Sequence, residues 1–79
     1  MARRHIETGI DIGSSNVRVV VSEYVESAPL PVIIGTGIAE ARGMRHGYIV
    51  NVAEAAGSIR LALLQAEKSS GTKIKRVFI

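Results

Sequence analysis

The sequence predicts an α/β domain of order β-β-β-α-β: a mixed sheet in which three strands form an antiparallel meander and a helix returns a fourth strand parallel to the first. Three observations carry this. Residues 6–12 alternate, with Ile6, Thr8, Ile10 and Ile12 on one side and Glu7, Gly9 and Asp11 on the other, which is the period of a strand. A link of only Gly13 to Asn16 separates them from the β-branched run "VRVVVSEY" of Val17 to Tyr24, so the two segments read as a hairpin. From Asn51 onward the apolar residues recur at helical spacing, and a capping residue marks each end of that stretch.

The remaining elements come in order along the chain. "VESAPLP", Val25 to Pro31, holds two prolines and reads as a turn. "VIIGTGIAE", Val32 to Glu40, is a third strand whose glycines predict a bulge or bend. "ARGMRHGYIVN" is a glycine-punctuated loop. The helix then opens at Asn51, with Glu54 three places on in the reciprocal capping pattern. Ala55, Ile59, Ala62, Leu63 and Ala66 form its core-facing stripe, and Gly71 suits a left-handed cap at its end. "IKRVFI", Ile74 to Ile79, is the fourth strand, returned by a right-handed crossover. One helix covers one face of such a sheet. Val19, Val20 and Val21 place apolar side chains on both faces, so the second face is expected to need a cover that this chain does not supply.

Bulk properties narrow the classes. A chain of 79 residues suffices for one small domain or part of a larger one. With 47% hydrophobic residues it can build a core, and with 4% aromatics that core is aliphatic. The absence of cysteine removes thiol redox chemistry and thiolate zinc sites, and fits a reducing compartment. The net charge of +3 resides largely in Arg3, Arg4, Arg42, Arg45, Lys73, Lys75 and Arg76, at ends and loops without interleaved aromatics. That distribution argues for solvated edges and against nucleic-acid binding. "MARRH" resembles the basic start of a signal peptide, but Glu7 and Asp11 interrupt the segment after it, and no apolar stretch approaches the roughly 20 residues of a membrane span. A soluble, cytosolic chain is expected.

The segment that carries chemistry is "GIDIGSSNVRVVV". Asp11 lies at the carboxyl end of the first strand. Gly13 allows close approach of the backbone to a ligand, and Ser14, Ser15 and Asn16 offer backbone and side-chain donors around a concave turn suited to anionic oxygens. A carboxylate beside phosphates is repelled unless a cation intervenes. Asp11 therefore makes sense as a Mg²⁺ ligand acting through water, since Mg²⁺ keeps most of its hydration shell. Arg18 could add charge or simply face solvent. The competing account needs no ligand: Asp-x-Gly-Ser between two strands is good hairpin chemistry by itself. The residues alone leave both accounts open.

"DIGSSNVRVVV" resembles the first phosphate motif of the actin, heat-shock chaperone and sugar-kinase superfamily, in which an Asp-x-Gly-(Ser/Thr) turn joins the first two strands. The stretches "IIGTGIAEARGMRHGYIVN" and "SIRLALLQAEKSSGTKIKRVFI" are similar to the start of the FtsA family of bacterial cell-division actin homologues, and the resemblance runs from Ile6 to Ile79. It implies the first part of the first subdomain of an actin-like (ribonuclease H-like) ATPase domain, with residues 1–79 as one partial domain. It also implies ATP and Mg²⁺ bound in a cleft between two lobes, with Asp11 near the metal and Gly13, Ser14 and Ser15 cradling the terminal phosphates. Asn16 departs from the lysine or similar residue often found after the two hydroxyls. For the longer protein the resemblance implies self-polymerisation, tethering of FtsZ filaments, and attachment to the inner membrane face at the division site through a C-terminal amphipathic helix that these residues do not include. It further implies that the opposing half of the cleft lies outside this chain, so that no steady ATP turnover is expected of the chain alone. A PilM-like scaffold of type IV pilus assembly shares the "DIGSS" turn, and an interaction module that has lost the nucleotide is the third reading.

Other residues read more plainly. Arg42, Arg45 and His46 belong to a surface turn rather than an anion site. His5 and His46 lie too far apart for a metal, and Glu54 is a capping partner. Leu61 and Leu64 lie off the core stripe, either as core filler or as the seat of a further subdomain. An unpaired strand edge and an uncovered apolar face predict that the isolated chain associates with itself.

Overall fold

The computed structural model describes residues 4–79; Arg3, part of the basic opening, lies outside them. Three strands, β1 (Arg4–Ile12), β2 (Asn16–Val25) and β3 (Val32–Glu40), form an antiparallel sheet in the order β1-β2-β3. The pairing sets Thr8 against Val21, Ile10 against Val19 and Ile12 against Val17. On β2 the alternation is strict: Val17, Val19 and Val21 are buried, while Arg18 and Val20 are exposed. Helix α1 (Val52–Ser70) lies across the valine face and contributes Ala55, Ala62 and Ala66 to the core. Ile59 and Leu63 of the predicted stripe are partly buried against that core.

Small residues decide how near the helix comes. A Cβ on Gly37 would strike the Ala62 carbonyl and lie 2.9 Å from the Ala66 nitrogen, and one on Gly35 would lie 2.6 Å from Ser70 Cβ. The glycines of β3 therefore serve mainly to let a helix backbone approach. The predicted bulge is present as well: Val21 faces Gly35 but Ser22 faces Ile33, which leaves Ile34 as the extra residue.

The same helix closes the outer edge of β3. Alternate amides of an edge strand point away from its neighbour and need acceptors. Here Thr36 N donates to Ser69 Oγ at 3.2 Å and Ile38 N to Gln65 Oε1 at 3.1 Å. Just past the strand, Arg42 N donates to Ser58 Oγ at 2.8 Å. The open edge expected from the sequence is thus occupied by helix side chains on this side of the sheet.

The helix begins and ends where the sequence places its caps. Asn51 Oδ1 accepts from Glu54 N at 3.1 Å, and Gly71, at φ 69°, donates its amide to the Glu67 carbonyl at 2.9 Å. The reciprocal arm of the capping pattern is replaced: Asn51 N donates to the Gly43 carbonyl at 3.1 Å.

A fourth strand over Ile74–Ile79 is not formed. What is present is one parallel bridge, Gly9 to Phe78, with Phe78 N donating to the Thr8 carbonyl and Ile10 N to the Phe78 carbonyl, both at 2.8 Å. The backbone before it is engaged elsewhere, since Ile74 N donates to Glu67 Oε2 at 2.8 Å and is held at the end of the helix. The second sheet face carries exposed apolar side chains, with Ile38 49% and Tyr24 39% exposed. Val20 is 37% exposed there, but its cross-strand neighbours are Gly9 and Thr36 and it is flanked by Arg18 and Ser22.

The loop after β3 holds a small hairpin, β4 (Met44–Arg45) and β5 (Tyr48–Ile49). His46 and Gly47 form its two-residue turn, at φ 51° and 81°. Positive φ at both central positions matches the right-handed twist of the flanking strands.

Candidate functional site

The turn that links β1 to β2 is closed by its own backbone, with Gly13 N donating to the Asn16 carbonyl at 2.9 Å. A Cβ on Gly13 would lie 3.2 Å from that carbonyl, a tight contact that the turn would have to relax by a few tenths of an ångström to admit. Ser14 and Ser15 are exposed at the apex. Among the described residues, no intramolecular hydrogen bond engages the amide N–H of either serine. Asn16 is already the first residue of β2, half-buried and paired with Glu40, so its backbone serves the sheet ladder as well as closing the turn through the carbonyl that Gly13 N engages.

Asp11 is exposed, one residue before the end of β1, on the face away from the helix. Its cross-strand partner is Arg18. Among the described residues no ion pair or hydrogen bond engages the Asp11 carboxylate. It borders a shallow hollow lined by Gly9, Arg18, Val20 and Phe78. Asp11, Arg18 and Asn16 share one face by register, with the two serines at the end of that face.

This donor set fits a hydrated cation with a polyphosphate better than it fits a bare metal. Among the described residues no group of three or more His, Asp or Glu side chains could hold an ion. Asp11 alone cannot strip Mg²⁺ of its water, but one carboxylate acting through water is compatible with an ion whose other ligands are phosphate oxygens. The free amides of Ser14 and Ser15 are the kind of neighbouring backbone donors that bind anions.

Two features of the site are not visible in the sequence. Ser14 Oγ accepts a hydrogen bond from Gly47 N at 2.8 Å, which seats the tip of the β4–β5 hairpin on the turn. The Ser15 carbonyl accepts from Ala41 N at 2.9 Å. The signal for the hairpin is the glycine after His46, between two short segments able to pair; nothing local indicates what its tip touches. Arg45 and His46 are exposed on this hairpin. His5 is remote from the turn: its ring shares a 3.1 Å hydrogen bond with Glu7 and lies 6.2 Å from the Tyr24 ring. Leu61 and Leu64, 59% and 53% exposed, are not core filler; they line a surface hollow with Gln65, Lys68 and Lys73. Among the described residues no helix is long and apolar enough to cross a membrane.

No family model matches the chain. Individual proteins do. It is 39% identical over 79 residues to cell division protein FtsA of Enterococcus hirae, an alignment covering 100% of this chain and 17% of the relative. It is 43% identical over 77 residues to FtsA of Streptococcus pneumoniae, covering 98% of this chain and 16% of that protein. To FtsA of Bacillus subtilis it is 33% identical over 79 residues, covering 100% of this chain and 18% of that protein. The chain thus spans about a sixth of the length of the curated relatives it matches, at their amino-terminal end. These matches favour the cell-division reading of the "DIGSS" turn over the pilus-scaffold reading. From end to end, the chain belongs by sequence with the amino-terminal segment of the FtsA proteins.

Proposed function

We propose that this chain supplies the first phosphate-binding loop of an FtsA-like, ATP-binding cytoskeletal protein of bacterial cell division, as the first part of its first actin-like subdomain. The observation that carries the reading is the pairing of an unengaged carboxylate, Asp11, with two unengaged amides, Ser14 and Ser15, across one tight turn. A hairpin that served only to reverse the chain would need neither. In this reading the Ser14 and Ser15 amides and hydroxyls bind terminal phosphate oxygens, and Asp11 orients a water of the accompanying Mg²⁺. Gly13 keeps the turn tight, and Asn16 fixes its far end by pairing in β2. Kinship with FtsA extends the proposal to the longer protein: polymerisation, binding to FtsZ, and work at the inner membrane face of the division site.

Titration of the ¹⁵N-labelled chain with Mg·ATP, monitored by amide chemical shifts, tests the loop. A half-site open to water binds weakly, with Kd of about a millimolar. The expected result is a saturable shift of the Ser14 and Ser15 amides that needs Mg²⁺ and disappears in Asp11→Ala. Shifts scattered over the basic termini, or the same titration in Asp11→Ala, would reduce the turn to chain reversal.

A further inference from the structure

We infer that the β4–β5 hairpin is a positioning element of the phosphate turn, with the Gly47 amide fixing the Ser14 hydroxyl so that its proton is left for an anionic oxygen. The inference rests on the phosphate reading of that turn. A serine hydroxyl has one proton to donate and two lone pairs to accept with. Gly47 N occupies a lone pair of Ser14 Oγ at 2.8 Å, and among the described residues the Ser14 hydroxyl donates to nothing. The bond therefore removes rotational freedom from the hydroxyl without consuming the proton that a phosphate oxygen would accept.

The hairpin is built to hold that position. Its base is closed by Val50 N, which donates to the Gly43 carbonyl at 2.8 Å. It is fastened to the helix by the N-cap residue, since Asn51 N donates to the same carbonyl at 3.1 Å, and by Arg42 N, which donates to Ser58 Oγ at 2.8 Å. Gly43 sits at φ 71°, and a Cβ there would collide with the Asn51 carbonyl and lie 2.9 Å from Ala55 N, so the base is pressed against the first turn of α1. The tip reaches the turn through Gly47, at φ 81°, where an amide can face outward from a two-residue bend. Ala41, at the start of the same segment, ties the Ser15 carbonyl at 2.9 Å. Both serines of the turn are thus held by one segment anchored on the helix, and the turn reaches an anion already ordered. Preorganisation of this kind raises affinity by removing the cost of ordering on binding.

The test tracks the Gly47 amide in the ¹⁵N-labelled chain during a Mg·ATP titration, by chemical shift and hydrogen exchange. Binding is expected to shift Gly47 together with Ser14 and Ser15 and to slow its exchange, because a hydroxyl that donates to an anion becomes a better acceptor. His46→Asn places a residue that tolerates positive φ in the bend and is expected to slow Gly47 exchange further while keeping binding. Gly47→Ala keeps the amide but is strained at that φ, with open space around the added carbon. Relief of the strain is expected to draw the amide off Ser14 Oγ and to weaken Mg·ATP by up to about the factor of three to ten that one neutral hydrogen bond is worth. Shifts at Ser14 and Ser15 with Gly47 unmoved, or full affinity in Gly47→Ala, would overturn the inference and leave the phosphate site standing. No specific shift at Ser14 and Ser15 would instead remove the phosphate reading, and the inference with it.

Discussion

Gly37→Ala tests how the sheet and helix are joined. The added methyl would collide with the Ala62 carbonyl and sit 2.9 Å from the Ala66 nitrogen, where ordinary contact begins at 3.4 Å. Both obstacles are backbone atoms of a capped helix, which cannot yield as a side-chain tip would. The helix must withdraw by at least the 0.5 Å between those two distances. A gap of that size forfeits roughly a quarter of the dispersion attraction along the seam. It also stretches the edge bonds from Ile38 N and Thr36 N, already 3.1 and 3.2 Å long. Overpacking of this kind costs about 1–3 kcal/mol, and weakening two neutral hydrogen bonds adds about 1 kcal/mol. A loss of about 3 kcal/mol is large against the roughly 4–12 kcal/mol expected for a domain of this size. Urea unfolding monitored by circular dichroism measures it: with a slope of about 1 kcal/mol/M the midpoint falls by about 3 M. A midpoint within about 0.5 M of the parent would refute the claim that glycine is required by the approach of the helix.

Three further substitutions separate other parts of the structure. Gly57→Ala, inside the helix with nothing within 4 Å of the added carbon, is expected to stabilise by about 0.8–1 kcal/mol through helix propensity, read as a higher urea midpoint. Ser58→Ala removes the acceptor of Arg42 N from a position 3% exposed and is expected to cost about 1–3 kcal/mol, with faster exchange of the Arg42 amide as the local readout. Asp11→Ala touches an exposed, unengaged side chain, so its thermal midpoint should stay within the change produced by about 0.5 kcal/mol, while the Mg²⁺ dependence of nucleotide shifts is lost. A strongly destabilised Asp11→Ala would show that the carboxylate serves the fold.

The strands and helix are legible because their signals are local. Val17 to Val21 alternates with period two, and only one register of β2 buries three valines at once. Asn51 and Gly71 mark the helix ends with side-chain and backbone chemistry that acts over three or four residues. Ser58 escapes a sequence reading because a serine within an apolar stripe looks like a break in it, whereas here its hydroxyl is satisfied twice, by Arg42 N and by the Glu54 carbonyl at 3.3 Å. The glycines of β3 suggest a bend because the nearest local explanation of glycine in a strand is a bulge. The bulge at Ile34 is there, but Gly37 answers to Ala62 and Ala66, which no window of strand length contains. The fourth strand is an expectation from the run "IKRVFI", with its parallel direction from topology, and the competing claim of the Glu67 carboxylate on Ile74 N is a side-chain event that neither sees.

The site divides along the same line. Asp11, Gly13, Ser14 and Ser15 stand out in the sequence because the chemistry they offer is carried by consecutive residues. What orders them does not, since the Gly47–Ser14 bond spans a separation of 33 residues. The loop of residues 41–51 looks flexible because it is rich in glycine, yet Gly43 and Gly47 each take a positive φ that permits a definite contact, one with the helix and one with the turn. Glycine here confers order by letting the backbone reach a definite partner, the backbone of the helix N-cap at Gly43 and the Ser14 hydroxyl at Gly47. The consequence extends to self-association. The sequence argues for pairing along an open strand edge, but the amides of Thr36 and Ile38 on the β3 edge are already accepted by helix side chains. The β3 edge is thus closed to pairing, which leaves the β1 edge, where among the described residues Phe78 pairs at a single bridge, and exposed apolar side chains such as Leu61 and Leu64. Charge substitution at those two leucines is expected to weaken association in sedimentation, and association that persists would be assigned to the β1 edge.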